Sequence, residues 1–496
     1  AYILSAAYFL AALLLAVYGL NCFVLTGLYL RTRGPHPPPG EGIQEWPSVT
    51  VQLPLYNERW VARRLLDAVA ALDYPSELLE IQVLDDSTDH TASIARAVAR
   101  RWQRAGLDVK VIHRDHREGY KAGALANGLR QAKGELVAIF DADFVPQPDW
   151  LRQVVPHFQG HPNLGFVQTR WGHLNGTYSA VTRAQALALD GHFVVEQTAR
   201  QRSGLLMNFN GTAGIWRRRC IEETGGWSAR TLSEDLDLSY RAQLAGWDCL
   251  YLPDVVTPAE VPPLVSAFKR QQARWATGSV QCLRHLAGPL LRSHLGWWQK
   301  VEGLIHLGGY LTHPLMVMLL LISLPLVLLD GGLRFHIAFL GLASLGPPLL
   351  YVVSQVVQGR QATRRLLHLP VLVLLGTGAA VSNTLAVLRA LRQDGGSFQR
   401  TPKFRLVGTS GEWRGKRYSA NSDLSVGGEV ILAGYALAAI LVALSQGSLY
   451  AVPFLGLYAL AFSYIASEGL RETWSARASA RRTSALKSPA SWPWPT

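Results

Sequence analysis

Asp141 and Asp143 stand two residues apart in V-A-I-F-D-A-D-F (137–144), and two carboxylates at that spacing can reach one divalent cation together. The four apolar residues ahead of them are too few for a helix and read as a buried strand, so both acids emerge at a strand's C-terminal end, where open α/β sheets bind ligands. Mg2+ is commonly held by one or two carboxylates while substrate phosphates complete its shell. The simplest chemistry is a metal-assisted nucleotide site. D-x-D also arises by chance, so its weight comes from its companions. These are a second acidic pair, Asp85-Asp86, then Ser233-Glu234-Asp235, and Gln271-Gln272-Ala273-Arg274-Trp275. Taken singly, S-E-D is also a helix start, with Ser233 as cap and acids suiting the dipole, and an Arg-Trp pair is also a membrane anchor.

The elements that must position these residues alternate. Residues 49–53 read as a strand, 58–72 as a helix closed by Tyr74-Pro75, and 81–84 as a strand ending in Asp85-Asp86. A helix over 91–104, a strand over 109–113, a helix over 121–132 and the strand 136–140 follow. This βαβ rhythm predicts a mostly parallel nucleotide-binding sheet. It carries no Rossmann G-x-G-x-x-G and no P-loop, and the chain has no H-E-x-x-H, G-x-S-x-G or kinase set, which leaves the corresponding chemistries unsupported.

The chain has 496 residues, 49% of them hydrophobic. Its mean hydropathy of +0.11 averages two unlike regions. Residues 2–30 are an uncharged apolar run followed by Arg31 and Arg33, long enough to span a bilayer and too long for a signal-peptide core. The first residue is Ala, so a further span upstream is compatible with this numbering. Apolar runs at 303–329, 335–357, 430–444 and 450–466 read as further spans. The run 366–391 is read as an interfacial or re-entrant helix, because crossing there would put the basic residues after it opposite Arg360, Arg364 and Arg365. The +13 charge lies mostly beside these spans, which points to anionic lipid and away from nucleic acid. Four scattered cysteines show no disulfide or zinc spacing and fit a reduced cytosolic setting.

The expected organisation is an N-terminal span (1–32), a Pro/Gly-rich linker (33–48), a cytosolic catalytic domain (49–260) and interfacial helices (261–300). Two spans (301–358), an interfacial helix with a loop (359–428), two spans (429–467) and a basic cytosolic tail (468–496) complete it. The tail is too short for an appended nucleotide-sensing domain, and none is expected.

In order, the D, D-x-D, S-E-D and Q-x-x-R-W motifs resemble those of the processive family 2 glycosyltransferases, the cellulose, chitin and hyaluronan synthase group. L-P-L-Y-N-E (53–58), I-Q-V-L-D-D-S-T-D (81–89), F-N-G-T-A-G-I-W-R (209–217) and F-Q-R-T-P-K (398–403) look most like the cellulose-synthase-like A and C types and their bacterial relatives. Ser233 replaces the usual Thr. The resemblance implies a GT-A-type α/β domain inserted between transmembrane helices. It assigns the base that takes the acceptor proton to Asp235, beside Glu234. It gives Asp143 the metal, Mg2+ or Mn2+, with Asp141 toward the nucleotide diphosphate, and places Asp85 or Asp86 at the base and Lys121 near the nucleotide. Arg274 would pair with phosphate oxygens, Trp275 would stack on the acceptor sugar with Gln271 and Gln272 beside it, and Phe398, Thr401 and Lys403 would form a loop closing over the nucleotide.

The function so implied is a membrane-integrated, inverting β-glycosyltransferase that polymerises sugar from a nucleotide-sugar donor onto a growing glycan and exports the product through its own spans. UDP-glucose is favoured over GDP-mannose as donor. The alternatives are an enzyme adding one or a few sugars to a lipid, and a non-catalytic scaffold, against which the full acid set stands. Trp297, Trp298, His306 and Tyr310 are candidate channel residues, although such residues also form interfacial belts. A bacterial inner membrane, or its equivalent, is the expected location, with membrane lipids as neighbours.

Overall fold

The computed structural model describes residues 2–34, 45–329, 341–359, 361–398, 400–413, 416 and 425–485. Seven strands form one sheet: β1 (Val49–Leu55), β2 (Leu79–Asp85), β3 (Asp108–His113), β4 (Leu136–Ile139), β5 (Leu164–His173), β6 (Gly214–Arg217) and β7 (Asp248–Ala259). Their order is β3-β2-β1-β4-β6-β5-β7. β1, β2, β3 and β4 run parallel, and β6 is antiparallel to β4 and β5. The fold is the expected GT-A type, a mixed and mostly parallel sheet.

Both faces of the sheet are covered, as a parallel sheet requires. Helices Ala62–Ala70 and Thr91–Arg104 bury Leu65, Leu66, Val69, Ala95 and Ala99 against Val49, Val51, Leu53 and Ile81 on one face. Helix Tyr120–Leu129 buries Leu125 on the other, against Leu84, Val137 and Ile139. The register sets the site. Leu55 lies opposite Asp85, and Gln52 opposite Ile139, the residue two before Asp141. Both acidic pairs therefore leave the sheet at the same edge.

One predicted helix starts late. Residues 58–61 form a separate turn, with the amides of Val61 and Ala62 donating to Glu58 O, and the helix begins at Ala62.

Outside the sheet domain, helices over Tyr2–Thr32, Gly309–Leu328, Ser425–Ser445 and Leu449–Ser475 are long and apolar enough to cross a membrane. The segment predicted at 366–391 is two helices, Leu369–Gly378 and Ala380–Ala390, in a pair bent by 41°. That bend suits a broken span and a re-entrant loop alike. Of the run 335–357, residues 335–340 lie outside the described residues, and the rest ends in helix Gly346–Gln358, which packs on Tyr2–Thr32. Within the stretch 261–300, read as interfacial helices, one helix runs over Val265–Arg292. Near its start, buried Lys269 Nζ lies 2.6 Å from Glu429 Oε1 on the membrane-type helix Ser425–Ser445.

Candidate active site

One cavity at the acidic sheet edge gathers most of the predicted residues. Asp86, Lys121, Asp141, Asp143, Glu234, Asp235, Gln271, Arg274, Trp275, Phe398, Thr401 and Lys403 all line it. They come from six separated stretches of chain.

The chain turns directly after β4, with Phe144 N donating to Asp141 O, and the two carboxylates take different lysine partners. Asp141 Oδ1 lies 2.7 Å from Lys121 Nζ, and its amide donates to Thr212 Oγ1. Asp143, 3% exposed, lies 2.6 Å from Lys403 Nζ. Lys121 also stands 3.6 Å from Glu234 and donates to Gly211 O. Burial works against the Lys121 ammonium, but Asp141, Glu234 and Asp235 outweigh it and raise its pKa. Lys403 follows the same pattern: burial opposes its charge, and Asp143, Glu58 and Glu260 restore it and raise the pKa.

Asp235 sits in the first turn of helix Glu234–Leu244, with Leu236 N donating to its Oδ1. Burial and the charge of Glu234 push its carboxyl up to about 7, against the pull of Lys121. That value suits a group that takes a proton near neutrality. Gly211, at φ +80°, makes room for it: a Cβ there would lie 2.7 Å from Asp235 Oδ2 and 3.3 Å from Lys121 Nζ.

Ser233 holds the helix's N-cap position but makes no side-chain cap, a correction to the capping expectation. Its hydroxyl faces Gly278 instead: a Cβ on Gly278 would lie 2.0 Å from Ser233 Oγ. Helix Val265–Arg292 thus passes against the S-E-D turn and brings Arg274 and Trp275 to the cavity. Gln281 on the same helix clamps the ends together, accepting from Leu232 N and donating to Gln393 O and Gly395 O.

Two predicted residues face elsewhere. Asp85 is fully buried behind the cavity, 2.8 Å from His113 Nδ1, while Asp86 reaches the cavity with Arg114 at its carboxylate. Side chains alternate at a strand end, so only one of two adjacent acids can face the ligand. Gln272 turns toward the membrane helices and accepts from Tyr310 Oη at 3.0 Å, while Gln271 lines the cavity. Of the proposed channel aromatics, Trp297 is exposed, and His306 is bonded to Tyr240 Oη.

The loop holding Phe398, Thr401 and Lys403 lies inside the cavity; Gln399 lies outside the described residues. Phe398 packs on Tyr120, and the Arg274 guanidinium sits 4.7 Å from its ring centre. Thr401 is buried, and its hydroxyl has no hydrogen-bond partner among the described residues.

Sequence reasoning passed over several cavity residues. Glu58 lies 2.8 Å from Arg400, and burial lifts its carboxyl to about 7. Glu260 joins Arg64 and accepts from Phe404 N. Arg117 stacks 3.5 Å from the Tyr56 ring centre, with Tyr120 and Phe398 beyond it. Glu58 offered a signal, since it follows β1 much as Asp86 follows β2. Glu260 and Arg400 offered none, because their partners are about two hundred to more than three hundred residues away.

The donor set fits a hard divalent cation. No group of three His, Cys, Asp or Glu that could hold an ion occurs among the described residues; the D-x-D carboxylates Asp143 and Asp141 line the cavity, and diphosphate oxygens would suit the remaining positions of an ion held there. Arg274 Nε is buried with no hydrogen-bond partner among the described residues, as a group awaiting an anion would be.

Over 265 residues the chain is 43% identical to Glucomannan 4-beta-mannosyltransferase 2 of Arabidopsis thaliana, covering 52% of this chain and 50% of that protein. Glucomannan 4-beta-mannosyltransferase 1 of Oryza sativa subsp. japonica is 40% identical over 273 residues, covering 54% and 52%. The chain spans about half the length of these curated relatives. Among solved structures, the mannosyltransferase PcManGT of Pyrobaculum calidifontis, in complex with GDP-Man and Mn2+, superposes with a TM-score of 0.51 at 22% identity, over 78% of this chain and 97% of that one. Residues 47–278, which carry all seven strands, both acidic pairs and the Arg274-Trp275 helix turn, match the family model "Glycosyltransferase like family 2".

Proposed function

We propose that the chain is a membrane-integrated inverting hexosyltransferase that moves mannose from GDP-mannose to a hydroxyl of a growing β-linked glycan of the glucomannan type. The observation that carries this reading is the placement of Asp235. It stands across Lys121 from the D-A-D turn, with a carboxyl poised near neutrality and Trp275 and Arg274 lining the same cavity. The preference for UDP-glucose drawn from sequence gives way to GDP-mannose, supported by the names of the curated relatives and by the ligand of PcManGT.

Asp235 takes the proton of the acceptor hydroxyl as its oxygen bonds to the anomeric carbon from the face opposite the diphosphate. The bond from that carbon to the diphosphate oxygen breaks, which inverts the centre. Arg274 and Lys403 hold the leaving charge with charge-assisted hydrogen bonds. Trp275 presents an indole face to the acceptor ring. Asp143 and Asp141 would hold Mg2+ or Mn2+, which when bound supplies further neutralisation of the diphosphate. Asp86 is the acid of its pair with access to the nucleotide.

The domain organisation belongs to the same proposal: the sugar-transfer domain faces the cytosol of a bacterial inner membrane or its equivalent, among membrane lipids, and the apolar helices carry the product outward. A line of polar groups supports the exit route. It runs from Gln272 to Tyr310, which stacks on His313, and His313 Nε2 lies 2.9 Å from Asn383 Nδ2 at the bent helix pair.

The test is a donor screen on the full chain in detergent with Mn2+, following nucleoside diphosphate release and digesting the product with linkage-specific mannanases and glucanases. Release from GDP-mannose with a mannanase-sensitive polymer, lost in Asp235→Asn, is expected. Turnover of UDP-glucose alone, or a product limited to a short glycolipid, overturns the donor or the polymer assignment respectively.

A further inference from the structure

A second cavity, of about 550 Å³, lies on the other side of the β5 wall from the catalytic one, and the two share Trp171, Gly172 and His173. Its size falls within the range of small-molecule sites. Its far wall is the end of helix Gly346–Gln358 and the short helix Ala362–Leu366, so it opens where the sugar-transfer domain meets the membrane-side helices.

The charge in this cavity is one-sided. Arg170 projects from β5, Arg183 from helix Ala180–Asp190, and Arg364 and Arg365 from Ala362–Leu366. The carboxylate lining it, Asp190, is already matched: its oxygens lie 3.0 Å from His173 Nε2, 3.0 Å from Gln355 Nε2 and 3.7 Å from Arg365. Arg170, Arg183 and Arg364 make no ion pair or side-chain hydrogen bond among the described residues. Four guanidiniums lining one cavity with a single carboxylate leave it net positive, which favours an anion there. Thr177 and Gln358 add neutral hydrogen-bonding groups at the wall. Leu367, 72% exposed, places an apolar residue at the rim, beside the helices that pack on the N-terminal span.

We propose that this cavity binds a phosphate-bearing group through Arg170, Arg183 and Arg364, and that the group is the headgroup of an anionic phospholipid of the adjoining leaflet. Guanidinium forks match phosphate oxygens two at a time, and the acyl chains would leave over Leu367 toward the membrane-side helices. The site is separate from the donor cavity and stands whether or not the transferase reading does.

The full chain in detergent, its donor cavity filled with GDP and Mn2+, is incubated with phosphatidylglycerol or with inorganic pyrophosphate and examined by native mass spectrometry. One phosphatidylglycerol per chain is expected to remain bound, about tenfold more weakly in Arg364→Gln and about a hundredfold more weakly in Arg183→Gln/Arg364→Gln. Arg364 is exposed on a short helix, so its single variant serves if the double variant does not fold. Pyrophosphate retained by the wild type and lost in the same variants, with no phosphatidylglycerol bound, supports the site and makes its ligand a soluble diphosphate. Retention of neither probe, or equal retention by wild type and Arg364→Gln, overturns the proposal.

Discussion

Lys403 Nζ lies 2.6 Å from Asp143 Oδ2, across 260 residues of sequence, so a cation of the chain itself stands at the carboxylate suited to a metal. Removing that ammonium exposes the competition. In Lys403→Met the half-saturating Mn2+ concentration, measured as bound ion by electron paramagnetic resonance in the presence of GDP, is expected to fall several-fold. Turnover falls at least about tenfold in the same variant, because one charge-assisted contact to the leaving diphosphate is gone. Unchanged Mn2+ affinity would show that Lys403 and the ion do not share Asp143.

The pH profile follows from Asp235. A base with a carboxyl near 7 is protonated and idle in acid, so kcat/KM climbs about tenfold per pH unit below that point and levels above it. Glu234 is one cause of the raised value, and Glu234→Gln therefore moves the acid limb to lower pH. Asp235→Asn costs roughly two to four orders of magnitude in turnover.

The same group has a stability signature of opposite sense to the usual carboxylate. Its pKa is higher folded than unfolded, so its contribution to stability is fully present below the ordinary aspartate range, and it is lost as pH rises through about 7. Asp235→Asn is thus expected to raise Tm at pH 8, by roughly 2 °C or more, and to leave it nearly unchanged at pH 4. Differential scanning fluorimetry at the two pH values decides it.

Gly278→Ala tests how the acceptor helix is seated. The new Cβ meets Ser233 Oγ and Ser233 N, 2.0 and 2.8 Å away, and backbone cannot yield as a side-chain tip can. The helix must shift, carrying Trp275 away from Asp235, and a misplacement of this kind costs about a hundredfold in rate. Ser233→Gly in the same chain removes the hydroxyl and is expected to restore part of the loss. An additive double variant would disconnect the two positions.

Arg274→Lys keeps the charge and loses the planar fork. Nucleoside diphosphate inhibition should weaken by about tenfold or more while the pH profile stays in place, which separates phosphate binding from proton transfer.

The sequence made β1 to β4, the two acidic strand ends and the order of the motifs legible, because short apolar runs and clustered acids are local signals, whereas β5, β6 and β7 were not read from it. Asp85 and Asp86 could not be ranked from sequence, since their orientation depends on the last residue paired in β2. Glu58–Arg400 and Arg64–Glu260 were invisible for another reason: each pair joins stretches that only the finished fold brings together. Ser233 was misread as a cap because a hydroxyl before two acids is a cap signature, whereas the packing against Gly278 is not written locally. In the membrane part, hydropathy located the apolar runs but not the bend next to Ala379.

The ion pair of Lys269 with Glu429 gives the helix that bears Trp275 a mechanical role. Two opposite charges buried together resist separation of their helices, since parting them would strand each charge in an apolar interior. The indole therefore belongs to the stator. On the proposed function, a lengthening glycan would slip over Trp275 while Trp275 stays still, and drag on it would be borne by a helix tied to Ser425–Ser445 and not by the sheet.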